Sequence, residues 1–234
     1  MHFVNSDNTR ISDRITELKN ILSQKVDIMA VVKYANDTQI LSLIKDGRIK
    51  IIGENRVQDA EKRWERRDFL DIRKNLDIHF IGHLQKNKVK RAVLLFDSID
   101  SVDSIELAEE IDKKSAQIGK IMPVMIQIKI SDKETQYGIK PEDFDFIFEN
   151  ISRMKNISIR GIMAIGAMSD KEEEIRASFK KAADIYKNYF KNEFNSNGEK
   201  NYLSMGMSGD WRIAIEEGSN LIRIGNYFFD NKGV

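Results

Sequence analysis

A closed (β/α)8 barrel of the TIM type is the fold the sequence predicts, and three observations predict it. Eight short apolar runs alternate with amphipathic segments along the whole chain, and strict βα alternation implies a parallel sheet with right-handed crossovers. No linker-like break and no internal repeat interrupts that order. The length of 234 residues suits eight βα units in one domain spanning 1–234. An open doubly wound sheet is the alternative that the same alternation allows.

Thr9 to Gln24 opens the chain with Ile11, Ile15, Leu18 and Leu22 at spacings of three and four, an amphipathic N-terminal helix. Asp27 to Lys33 follows, where Ile28 to Val32 run without a polar break, as in a strand buried on both faces. A helix over Thr38 to Lys45 ends near Gly47. Ile49 to Ile52 is the second strand, and Arg56 to Arg67 a charged helix. Ile78 to Ile81 and Leu94 to Ile99 are the third and fourth strands, with a short basic helix between them. Asp103 with Glu106 marks the next helix start.

Val124 to Ile130 is the fifth strand, and Pro141 opens a helix where its missing N–H does no harm. Ile157 to Ile165 is the sixth. Ser169 and Glu172 read as a capping box for a long helix reaching Asn192. Asn195 to Lys200 is a polar loop, Tyr202 to Met205 the seventh strand, and a short helix runs from Asp210 to Gly218. Leu221 to Ile224 is the eighth strand, closed by Gly225 and Asn226.

Composition narrows the function. A formal net charge of +1, with 32% charged residues, argues against a general grip on nucleic acid. With no cysteine, disulfides and thiolate chemistry are excluded, which fits a reducing cytoplasm. The N-terminus has no apolar secretory core, and no run approaches the roughly 18 apolar residues of a membrane span. The expectation is a soluble, intracellular protein.

In a barrel the C-terminal strand ends share one mouth. Here those ends carry Lys33, Asn55, Gly82-His83, Ser101, Lys129, Met163, Ser204-Met205-Gly206 and Arg223-Gly225-Asn226. Lys33 either snorkels into water or sits partly desolvated, its pKa below the usual value of about 10.4, as an amine fit for Schiff-base chemistry. Ser208 can cap the following helix, whose first amides point at an anion, and Gly225 lets backbone N–H groups approach one closely. Either segment is equally an ordinary cap or turn; two adjacent strand ends of one character point to a phosphate. Arg223, between Ile222 and Ile224, points into the mouth, to pair with a carboxylate or to donate to the ring nitrogen of a heterocycle. His79 and His83 lack a third ligand cluster for a metal. The run Lys86 to Arg91 reads most simply as a solvated helix face, with an anionic partner as the alternative.

The segments Ala30-Val31-Val32-Lys33, Gly53-Glu54-Asn55-Arg56-Val57-Gln58, His79 through Lys88, Ser101-Val102-Asp103-Ser104, Ile159 to Met163, Leu203 to Ser208 and Arg223-Ile224-Gly225 occur in one order along nearly the whole chain. In these it resembles the pyridoxal phosphate homeostasis proteins (the YggS-type family), themselves similar to the N-terminal barrel of alanine racemase. The resemblance implies a fold type III barrel binding pyridoxal 5′-phosphate, with Lys33 holding it as a Schiff base. It implies Arg223 at the pyridine nitrogen, Asn55 beside the ring, and Ser204, Ser208, Gly225 and Asn226 around the phosphate. The chain departs from the family's pattern at Asn226, where a hydroxyl residue is usual, in the Glu134 to Gly138 loop, which lacks a lysine, and at Tyr34-Ala35-Asn36.

Racemisation needs an acid/base group on each face of the amino acid. The chain ends at Val234, after the eighth strand, without the second domain that supplies the racemases' tyrosine. The resemblance therefore implies a non-enzymatic, monomeric carrier serving pyridoxal-phosphate-dependent apo-enzymes. A racemase using Tyr34 or His83 as second base is one alternative, and a barrel binding some other phosphorylated metabolite is another.

Overall fold

The computed structural model describes residues 5–131 and 136–229; Glu134 and Thr135 of the loop before Gly138 lie outside them, as do residues 1–4 and 230–234. The elements in order are α1 (Asn5–Ile21), β1 (Asp27–Val31), α2 (Asp37–Asp46), β2 (Ile51–Glu54), α3 (Val57–Trp64), α4 (Arg67–Arg73) and β3 (Asp77–Phe80). After them come α5 (Val89–Leu95), β4 (Ser98–Val102), α6 (Ile105–Gln117), β5 (Met122–Ile128), α7 (Phe144–Ser152) and β6 (Ile157–Ala164). The last are α8 (Glu172–Tyr189), β7 (Tyr202–Ser204), α9 (Trp211–Glu216), β8 (Leu221–Ile224) and α10 (Asn226–Phe229). All eight strands pair in parallel, in sequence order, and β8 closes on β1 through Met29 opposite Arg223. The expected barrel is present, and the open sheet is not.

Apolar side chains divide into two cores. Between strands and helices lies the larger, with Ile40, Trp64, Phe69, Phe144 and Phe179 among its buried members. Inside the barrel, Met29, Ile51, Met125, Met163, Tyr202 and Leu221 pack together. Alternation along each strand produces this division, since successive side chains face opposite sides. Ile11, Ile15 and Leu18 give α1 its buried stripe. A reciprocal capping box between Asn36 and Gln39 starts α2, and Gly47 at φ 77° ends it. Among the described residues no helix is long and apolar enough to cross a membrane.

Four expectations need correction. Leu94 and Leu95 finish α5 rather than opening a strand, and the fourth strand is Ser98–Val102. Val89, Ala92, Val93 and Phe96 are buried at helical spacing while Leu94 is 58% exposed, so that run follows helical periodicity. The true strand escaped hydropathy because Ser98, Asp100 and Ser101 on it are polar and fully buried. Arg56 to Arg67 is two helices, split where Arg66 turns extended and Phe69 packs edge-on against Trp64 with ring centroids 5.4 Å apart.

Two caps also move. Ser104, not Asp103, caps α6, its hydroxyl accepting from the Leu107 N–H at 3.2 Å. Lys171 is the N-cap of α8, while Ser169 accepts from the Lys171 N–H at 3.1 Å and donates to Glu174 at 2.6 Å. The predicted Ser169–Glu172 reciprocity gives way to this tighter local turn.

Candidate functional site

Strand ends converge at one mouth, around a cavity of about 500 Å³. Lys33, just past β1, Asn55, past β2, and Gly82, past β3, line one side. Met207, Ser208 and Gly209, past β7, and Arg223, Gly225 and Asn226, on and past β8, line the other. Six of the seven residues singled out in the sequence as cofactor-binding therefore share one cavity. Ser204 is fully buried and does not line it.

Each wall has a local cause. Glu54, at the end of β2, faces away from the barrel, accepts from Trp64 Nε1 at 2.9 Å and pairs with Arg63. Burial pushes its carboxyl up, against the pull of Arg63. That anchorage ties α3 to β2 and leaves Asn55 as the first residue free to face the mouth. Gly82 is required beside it, since a Cβ there would stand 2.2 Å from the Asn55 carbonyl oxygen. Gly206 turns the chain out of β7 at φ 93°, a conformation that L side chains resist.

Arg223 is 4% exposed and held at two nitrogens. Nη1 donates to the Ser204 carbonyl at 2.8 Å and the Ser204 hydroxyl at 2.9 Å, and Nη2 to the Ala164 carbonyl at 2.8 Å. Burial lowers its pKa to about 10, with Asp210 and Asp100 pulling the other way. No carboxylate pairs with it directly among the described residues, so carbonyl dipoles fix the guanidinium and Ser204 acts through it.

One expectation about the anion side changes. Asp210, not Ser208, serves the α9 turn, its Oδ1 accepting from the Met207 N–H at 2.5 Å. Ser208 does not cap; its hydroxyl has no hydrogen-bond partner among the described residues and stands at the cavity. Gly225 immediately precedes α10, and Asn226, its first residue, is exposed. Lys33 is likewise exposed rather than partly desolvated, with Nζ 4.3 Å from the centroid of the Tyr34 ring.

The two histidines part company. His79 is fully buried inside the barrel, Nδ1 at 2.7 Å from Asp100 and Nε2 at 3.2 Å from Asp77. Burial opposes a charge there, but Asp100 and Asp77 more than offset it and hold the imidazolium up to about 10. His83 lies at the rim, Nδ1 at 3.3 Å from Asp103, its ring stacked on Tyr137 at 3.7 Å. Sequence reasoning missed the His79–Asp100 pair. The signal was available in Ser98-Ile99-Asp100-Ser101, where alternation aims Ser98 and Asp100 at the same face.

Comparison with known proteins bears on the family and the fold. The family model for the alanine racemase N-terminal domain matches residues 6–231. A pyridoxal phosphate homeostasis protein of Aquifex aeolicus is 35% identical over 184 residues, covering 79% of this chain and 78% of that relative. The human protein of the same description is 29% identical over 211 residues, covering 88% and 76%. Among solved structures, PipY of Synechococcus elongatus PCC7942 with PLP bound superposes with a TM-score of 0.81 at 31% identity, covering 94% of this chain and 99% of that one. Alanine racemase of Clostridium difficile 630 shares the fold alone, at a TM-score of 0.71 and 16% identity over 94% of this chain and 56% of that one.

Proposed function

The chain belongs to the alanine racemase N-terminal domain family, alongside the pyridoxal phosphate homeostasis proteins, and on that premise we propose that it binds pyridoxal 5′-phosphate as a non-enzymatic carrier and regulator of intracellular vitamin B6. The mouth cavity carries the reading, because an amine, a guanidinium and two glycine-bearing turns border one space of about 500 Å³. These residues fit the cofactor's three chemical features: an aldehyde, a heterocyclic nitrogen and a phosphate. When bound, the cofactor supplies a reactive carbonyl that a primary amine captures with loss of water. Lys33 is the amine assigned to that carbon. Arg223 donates toward the ring nitrogen, Asn55 flanks the ring, and Ser208 with the Gly225 and Asn226 turn takes the phosphate. Ser204 keeps Arg223 in place.

A carrier suits the arrangement better than a racemase. Arg223, even lowered to about 10, stays protonated at neutral pH and surrenders its proton poorly, which weakens a ring beside it as an electron sink. The rim is also accessible: Tyr34 and Met207 line the cavity and are 54% and 41% exposed. That exposure suits a monomer handing its cofactor to apo-enzymes in the cytoplasm.

Titration of the purified protein with pyridoxal 5′-phosphate tests the proposal, read by visible absorbance and by α-proton exchange from amino acids in heavy water. The expected result is a saturable visible band, lost in Lys33→Ala, without steady exchange. Steady exchange abolished by Lys33→Ala would establish the racemase reading instead, and a protein that stays colourless would end both.

A further inference from the structure

We infer that the barrel mouth carries a second small-molecule site, beside the cavity assigned to the cofactor, built for a compact oxyanion such as a phosphate ester or a dicarboxylate. A separate cavity of about 370 Å³ lies between the segments that follow β2 and β3. Asn55, Arg56, Gln58, His83, Gln85 and Lys88 supply its polar lining. Gln85 and Lys88, which the first cavity leaves unused, line this one.

Charge on this lining is only partly matched. Lys88 is half-buried and has no carboxylate or carbonyl partner among the described residues. Three other half-buried lysines are matched, though Lys129 is not: Lys120 donates to the Phe96 carbonyl at 2.6 Å, Lys200 meets Asp27 at 2.9 Å, and Lys114 meets Glu110 at 3.3 Å. An ammonium taken partly out of water without a partner costs free energy that an anion would return. Arg56 is as open: Asp59, the cavity's one acid, stands 4.0 Å away with both side chains more than half exposed. Asp103 engages His83 only at Nδ1. Amide groups of Asn55, Gln58 and Gln85 add neutral donors, a set suited to several oxygens on one small ligand.

The two cavities share Asn55. An anion in the second site thus bears on the wall of the first, and the structure offers a route by which a metabolite adjusts cofactor retention. That coupling rests on the function proposed above, whereas the anion site itself does not.

Nuclear magnetic resonance titration of the full chain with inorganic phosphate and, separately, succinate tests the site, with and without saturating pyridoxal 5′-phosphate. At least one anion should bind saturably, shift the Arg56 and Lys88 amides and remain bound in the cofactor-saturated protein. Its affinity should fall about tenfold in Lys88→Ala and in Arg56→Ala, each losing one charge-assisted contact, with circular dichroism unchanged. The tighter of the two anions identifies the ligand class. The inference is overturned if neither anion binds at millimolar concentration, if the cofactor displaces it, or if both variants keep wild-type affinity. Should pyridoxal 5′-phosphate itself fail to bind, the carrier reading falls while the two variants still decide the anion site.

Discussion

The interior of the barrel and its mouth treat charge in opposite ways. In the interior and at the closed end, Asp27, Asp77, Asp100 and His79 each have an opposite number. Asp27 takes the Lys200 ammonium at 2.9 Å and the Tyr202 hydroxyl at 3.3 Å, and His79 sits between Asp77 and Asp100. At the mouth, Lys33 and Lys88 have no carboxylate at all among the described residues, and Arg223 is held by carbonyls. Matched charges hold a scaffold together. Unmatched cations around a cavity instead leave a role for the negative charge of a ligand, and here they gather at the end of the barrel where ligands enter.

This contrast can be broken from either side. Asp100→Ala strips the buried His79 imidazolium of its nearest partner and should lower unfolding free energy by about 3–5 kcal/mol, measured by urea denaturation. An unchanged midpoint would mean that the interior pair is not structural. The same pair predicts a pH dependence. His79 is held up to about 10, above its ordinary 6.5, so its stabilisation is complete below pH 6.5 and disappears as pH rises through about 10. Between those limits wild type should lose up to about 1.4 kcal/mol per pH unit relative to His79→Asn. A parallel pair of stability curves would contradict it.

Smaller effects are expected toward the mouth. Gly82→Ala places a methyl group against the Asn55 carbonyl, which should cost about 1–3 kcal/mol in stability and weaken cofactor binding through the displaced Asn55. Binding at wild-type strength would show that this wall tolerates movement. Lys33→Ala should change stability by less than about 0.5 kcal/mol, as expected for an exposed side chain, while abolishing covalent capture. A large loss of stability there would erase the contrast between the two regions.

Much of this was legible in the sequence because barrel strands are short and buried on both faces. Apolar runs such as Ile28 to Val32 mark them, and polar residues just beyond mark the mouth. Lys33, Asn55, Ser208, Arg223, Gly225 and Asn226 reach one cavity for that reason. The fourth strand was illegible by hydropathy, because its inward side chains belong to the interior charge pair rather than the apolar core. Ser204 stands back from the cavity lining, and register sets that distance: it pairs with Leu221, the first residue of β8. Of the two readings open for Lys33, the exposed one holds.

The most direct test of the central claim is to load the protein with pyridoxal 5′-phosphate, reduce it with borohydride and map the modified lysine by peptide mass spectrometry. The account predicts one adduct, on Lys33, formed in near-stoichiometric yield. Adducts spread over surface lysines, or a single adduct elsewhere with Lys33 untouched, would contradict it.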